Sequence, residues 1–110
     1  MSAESTLPDD DCPPDPDPPG DALVRDIEIV NKRGLHARAA ARFVQTVERF
    51  EADVTVTRCG DTVGGTSIMG ILMLAAGPGS SIRVAARGKE AKQVLDALEA
   101  LLAERFGEEE

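Results

Sequence analysis

From residue 23 onward, the spacing of apolar residues switches repeatedly between a period of two and a period near 3.6. That switching restricts the fold more than any other feature of the chain. In residues 23–30, Ile27 and Ile29 alternate with Asp26 and Glu28, the pattern of a half-buried strand. Between residues 37 and 50, Ala40, Phe43, Val44, Val47 and Phe50 recur at steps of three and four and form one apolar helical stripe. Residues 52–58 alternate again, with Val54 and Val56 inward and threonines outward. A turn at Cys59-Gly60-Asp61 then leads into a short strand ending at Gly64-Gly65. Ser67 precedes a short apolar helix, which Gly77-Pro78-Gly79 stops. Residues 81–87 form another alternating strand through Ile82, Val84 and Ala86. Residues 89–106 place Ala91, Val94, Leu95, Leu98, Leu101 and Leu102 on one helical face. The order is strand, helix, strand, strand, short helix, strand, helix. With loops this short and amphipathic helices, it predicts an α+β fold: a four-stranded antiparallel sheet with the helices on one face.

The two ends of the chain belong to a different class. The segment DDDCPPDPDPPG, residues 9–20, combines proline, which removes backbone donors, with like charges that repel. Residues 1–21 are therefore expected to be a disordered acidic, proline-rich tail, residues 22–107 the folded domain, and residues 108–110 an acidic end. This partition changes the meaning of the formal charge of -8. The ends carry half of the 20 acids and none of the 12 bases, so the domain itself is slightly basic. About 86 residues bury one modest core.

Composition excludes several functions. With three Phe and no Tyr or Trp, the chain lacks the platforms on which single-stranded nucleic acid stacks, and no nucleic-acid partner is expected. The longest apolar run, residues 68–76, is far below a membrane span and is interrupted by Gly70, so no membrane insertion is expected. The N-terminus has no basic stretch followed by an apolar one, which suggests a cytoplasmic protein. Cys12 and Cys59 make no metal or redox spacing and are read as two unpaired thiols. With one histidine and no ligand cluster, neither a metal site nor a cofactor is expected.

That histidine, His36, stands in NKRGLHARAAARF, where a polar loop gives way to the first helix. The opening turn of a helix has unpaired backbone N–H groups and the positive end of the macrodipole, which together attract anions. Lys32, Arg33, Arg38 and Arg42 surround the position, and Arg38 and Arg42 lie one turn apart on the same helical face. An imidazole nitrogen is a nucleophile, and these same amides and cations would stabilise a phosphoryl group bound to it. Residue types and spacing thus suggest a phosphohistidine. A helix cap without chemistry is the alternative. No accompanying base or nucleophile points to hydrolysis.

GLHARAA, residues 34–40, resembles the active-site signature of the HPr family, the histidine phosphocarriers of the bacterial phosphoenolpyruvate-dependent phosphotransferase system. A second segment, TSIMGILMLAAGPGS at residues 66–80, is similar to the regulatory-serine segment of the same family, at the same separation from the histidine. The resemblance covers residues 22–107. It implies an HPr-like open-faced β-sandwich and a stoichiometric carrier rather than a stand-alone enzyme. It also implies that His36 accepts phosphate at Nδ1 from phosphorylated enzyme I and passes it to IIA-type proteins, with Arg38 assisting the transfer. Ser67 matches the serine that an HPr kinase/phosphorylase modifies in some bacteria, and a monomer is implied. One departure is visible: Ala39 stands where the family commonly has proline, which leaves φ unfixed in the first helical turn.

Ser67 also has a purely local reading. Serine before an apolar run is a favoured helix N-cap. Behind it, Ile68, Met69, Ile71, Leu72 and Met73 cannot all point inward from one short helix. Met69 is taken as the surface member and, with Arg42, as part of a docking patch. A regulatory interaction module, or a nitrogen-linked phosphorelay carrier with little role in sugar transport, is the competing functional reading.

Overall fold

The computed structural model describes residues 20–30, 34, 36–74 and 79–104. Within them the chain runs β1 (Leu23–Glu28), α1 (Ala37–Val47), β2 (Asp53–Arg58), β3 (Asp61–Gly64), α2 (Ile68–Met73), β4 (Ser81–Arg87) and α3 (Ala91–Ala103). This is the element order that the alternating periods predict. The strands form one sheet in the order β1-β4-β2-β3, and every neighbouring pair is antiparallel. The last strand therefore enters between the first two.

Register decides which side chains meet the helices. Ile27 lies opposite Ile82, and Val84 lies opposite Val56, so their side chains share one face. Onto that face α1 lowers Phe43 and Val44, and α3 lowers Val94, Leu98 and Leu102, all buried in one cluster. The two long stripes read from the sequence are therefore the core. Ala39, at 0% exposure, joins them, so the position where the family commonly has proline is an interior one.

Element ends differ from the periodicity by a few residues. The first helix ends at Val47 rather than Phe50, because the amides of Arg49 and Phe50 turn to carbonyls only three residues back, Thr46 and Val47. Phe50 still packs against the core from this tightened turn. The last helix begins at Ala91 because Glu90 is engaged elsewhere. Its carboxylate accepts from the Glu51 amide at 2.7 Å and its own amide donates to the Glu51 carbonyl at 2.9 Å.

The β2–β3 hairpin turns on Cys59 and Gly60 at φ +53° and +82°, the left-handed pair that matches strand twist in a two-residue loop. Cys59 is disulfide-bonded, which corrects the expectation of two unpaired thiols; Cys12 lies outside the described residues. Cysteine spacing reveals metal and redox motifs but not a pairing between cysteines far apart in sequence.

On the other side of the molecule, Arg25 ties β1 to α3 by contacts of 2.6 Å to Asp96 and 2.8 Å to Glu99. Lys92, one turn earlier on α3, donates to Asp96 at 2.7 Å. Lys92 first, and then Arg25, hold the Asp96 carboxyl below its ordinary value of 3.8. A carboxylate whose folded pKa is depressed stabilises the fold above its unfolded value, and this contribution disappears as pH falls through the folded one. The melting temperature of the wild type is thus expected to fall more steeply below about pH 4 than that of Asp96→Asn. Parallel acid titrations followed by thermal melts check this, and identical slopes would contradict it.

Candidate functional site

The pairing of β1 with β4 continues past the strands themselves. The Ile29 amide donates to the Ser80 carbonyl at 2.8 Å, and Gly79 donates to Ile29 at 2.9 Å. From this end of the sheet the chain leaves toward α1. Gly34 sits buried at φ +68°, a conformation open to glycine without strain, and its carbonyl accepts from the His36 amide at 3.0 Å.

His36 is the N-cap of α1, with extended backbone, and its carbonyl accepts the first helical bond from Ala40 at 2.8 Å. Its Nδ1 accepts from the Arg38 amide at 3.2 Å. Of the two alternatives read from the sequence, the cap is the one visible in the structure, and it uses Nδ1. The lone pair of the accepting Nδ1 points at the Arg38 amide, one of the first-turn amides that lack helical partners. The first turn of α1 holds no acidic residue to compete for them. A group bonded to Nδ1 displaces the Arg38 amide from the nitrogen and leaves that donor for the group's own oxygens. His36 is half-buried, and Arg38 and Arg42, both exposed, lie beside it on α1. Lys32 and Arg33, the other two cations of the expected cluster, lie outside the described residues.

Ser67 caps α2 as its sequence position suggests. Its Oγ accepts from the Gly70 amide at 3.0 Å, and the residue is exposed. Gly70 is needed for this arrangement, since a Cβ there would lie 2.9 Å from Ser67 Oγ and 2.9 Å from Val63 Cβ. Gly70→Ala is expected to lose about 1–2 kcal/mol despite better helix propensity, because overpacking outweighs the gain. Denaturant unfolding measures it, and unchanged or raised stability would refute the contact argument.

The second helix and its C-cap bury Ile71 and Leu74, while Met69 is exposed at 68%, as expected. Also exposed are Met73 at 76% and Ile68 at 41%, two residues not singled out from sequence. The step of four from Met69 to Met73 was the available signal, since residues so spaced share a helical face. Arg58 was missed as well. At the end of β2 its guanidinium donates to the Leu74 carbonyl at 3.2 Å, fastening the C-terminal end of α2 to the end of the sheet that carries the β2–β3 turn. A second guanidinium nitrogen lies 3.5 Å from Ser80 Oγ. The helix consequently runs toward the same end of the sheet from which the chain departs for His36, and α1 packs against α2. Among the described residues no cluster of three or more His, Cys, Asp or Glu could hold a metal ion, and no helix is long and apolar enough to cross a membrane.

Comparison with known proteins agrees with this geometry. The family described as the PTS HPr component phosphorylation site matches residues 23–104. The phosphocarrier protein HPr of Cupriavidus necator is 48% identical over 88 residues, which cover 80% of this chain and 99% of that protein. The phosphocarrier protein HPr of Neisseria meningitidis serogroup A is 44% identical over the same length, 80% of this chain and 99% of its own. Among solved structures, HPr-C-His from Thermoanaerobacter tengcongensis superposes with a TM-score of 0.76 at 40% identity, covering 80% of this chain and 99% of that one. The HPr of Bacillus anthracis superposes at 0.69 with 43% identity, covering 72% and 94%. Fold, element order and sequence agree over the same stretch, and the chain belongs to the HPr family, a phosphocarrier of the phosphotransferase system rather than a stand-alone enzyme.

Proposed function

We propose that the chain accepts a phosphoryl group at His36 Nδ1 from phosphorylated enzyme I and passes it to a histidine of a IIA-type protein. The observation that carries this reading is the Nδ1 lone pair aimed at the Arg38 amide in the first turn of α1. In the transfer, the donor's P–N bond breaks as the new bond to Nδ1 forms, with the two nitrogens in line through phosphorus. The Arg38 amide, released from Nδ1, and the Arg38 guanidinium then meet the phosphoryl oxygens. Delivery to the next protein reverses the same motion, so the chain supplies position and charge rather than new chemistry. Exposed Met69 and Met73, with Ile68 and Arg42, form a docking patch suited to several partners, since methionine side chains adapt their shape at little cost. The chain works as a monomer in the cytoplasm.

Incubation with phosphoenolpyruvate and enzyme I tests the reading. It is expected to place one acid-labile phosphate on His36, transferable to a IIA-type acceptor. Labelling confined to other residues would overturn it.

Ser67 is the regulatory position in this reading, modified by an HPr kinase/phosphorylase using ATP. A phosphate there adds charge to the docking patch without opening α2, because it lies at the positive end of that helix. A second reading, a nitrogen-linked phosphorelay carrier acting mainly in regulation, has its support in a 37% identity over 86 residues to the phosphocarrier protein NPr of Shewanella violacea. The two readings share the chemistry at His36 and differ in the acceptor. Comparing transfer rates to sugar-linked and nitrogen-linked IIA-type proteins separates them.

A further inference from the structure

The two edges of the sheet are finished differently. β1 lines one of them with Arg25, Asp26 and Glu28, and Arg25 is tied to α3. Charges of this kind keep an edge from pairing with a further strand. β3 forms the other edge with the sequence DTVG, which has no lysine or proline and pairs with β2 without a bulge. The register decides which of its backbone groups face outward. The Gly65 amide donates to the Val54 carbonyl at 2.8 Å, so antiparallel alternation turns the backbone of Val63 and Asp61 toward β2 and that of Thr62 and Gly64 away from it. The Gly64 carbonyl accepts from Ser67 at 3.1 Å. The amide and carbonyl of Thr62 and the amide of Gly64 are left as an outward row, and among the described residues no strand pairs with them.

The side chains along this edge are sorted in the same way. Val63 lies opposite the core residue Val56, so Val63 and Asp61 stand on the helix side of the sheet. Thr62 stands on the other side, its hydroxyl bonded to that of Thr57 at 2.9 Å. On the helix side α2 packs beside the edge, and Asp61, Thr62, Val63, Gly70, Met73 and Leu74 line a groove of about 290 Å³. Arg58, opposite Asp61 in the register, turns its guanidinium to the Leu74 carbonyl. Asp61 is exposed, and among the described residues no ion pair engages its carboxylate.

We propose that the β3 edge binds an extended segment of a partner protein as a further antiparallel strand. An aliphatic residue of that segment enters the groove opposite Val63, and a lysine or arginine two residues later meets Asp61. The residue between them exchanges both backbone bonds with Thr62, and the residue before the aliphatic one accepts from the Gly64 amide. Main-chain bonds supply the binding, and the two alternate side chains supply the selectivity. So short an edge with one apolar anchor makes a small interface, with a dissociation constant of about 0.1 mM. The groove shares Met73 with the docking patch, but the proposal rests on the strand edge and not on the phosphocarrier reading.

The full chain, labelled with nitrogen-15 and titrated with the capped peptide TTVTKT, provides the test. The Thr62 and Gly64 amides are expected to shift, to saturate and to exchange more slowly with solvent. Methylating the backbone nitrogen of the threonine between valine and lysine leaves the protein untouched and removes the donor to the Thr62 carbonyl, so binding is expected to weaken about tenfold or more. Asp61→Lys is expected to weaken binding of TTVTKT about threefold and to favour the peptide with glutamate in place of lysine. Equal binding of the methylated peptide would overturn the proposal, as would the absence of shifts at Thr62 and Gly64 up to about 2 mM peptide. So would pairing of two copies of the chain through β3, seen as a dimer in sedimentation that the peptide does not dissociate.

Discussion

His36→Asn is expected to fold like the wild type and to accept no phosphate, whereas His36→Ala should lose both the phosphate and some stability. The difference follows from the double duty of the side chain, whose Nδ1 caps α1 through the Arg38 amide and is also the proposed nucleophile. Asparagine is among the strongest N-caps and can accept from the same amide, so the asparagine variant should stay within about 0.5 kcal/mol of wild type. Alanine offers no acceptor and should cost about 1 kcal/mol. Neither replacement has a nitrogen lone pair able to form the P–N bond, and removing a nucleophile of this kind lowers turnover by about 10³-fold or more. Thermal unfolding and acid-labile labelling by enzyme I and phosphoenolpyruvate, measured on the same preparations, separate the two roles. Full labelling of His36→Asn would place the acceptor elsewhere. Loss of labelling in His36→Ala together with normal labelling in His36→Asn would reduce the residue to a cap.

The second large effect concerns Ser67. Ser67→Asp retains an oxygen able to accept from the Gly70 amide and adds a negative charge beside exposed Ile68 and Met69. Aspartate is as good a cap as serine and suits the positive helix end, so stability should change by less than about 0.5 kcal/mol. If phosphorylated enzyme I docks over this patch, a fixed like charge opposes it, and acceptance at His36 should slow by about tenfold or more. Ser67→Ala is the complementary control. It should lose about 1 kcal/mol of stability with the cap while keeping the transfer rate. The slowing by Ser67→Asp should also shrink as salt is raised, because screening weakens charge repulsion at an exposed site. Wild-type transfer by Ser67→Asp at low salt would remove Ser67 from the docking surface and leave it a cap alone.

How much of this could be read beforehand depended on the range of the interaction. Phe43, Val44, Val94, Leu98 and Leu102 were identifiable as core because a helix repeats its face every three or four residues. His36 and Ser67 were identifiable as helix starts because capping depends on the next three residues. By contrast, the start of α3 is set by a partner distant in sequence. Glu90 bonds the backbone of Glu51 and delays α3, and no local pattern contains that bond. Arg58 was read as the end of a strand, yet it fastens α2 through the Leu74 carbonyl. The exposure of Met73 was legible only through its step of four from Met69, because the six residues of α2 give less than two full periods to the pattern.

From its own residues, the chain specifies seven elements in order, a slightly basic domain between acidic ends, and a histidine at a helix start. Each of these rests on neighbours within a few positions. Tertiary packing places β4 between β1 and β2 and brings the Cys59 hairpin to the end of the sheet from which the chain leaves for His36. Those features come from strand register and sheet closure, which join residues far apart in sequence. The energies that select them lie in the burial of a shared core rather than in any local pattern.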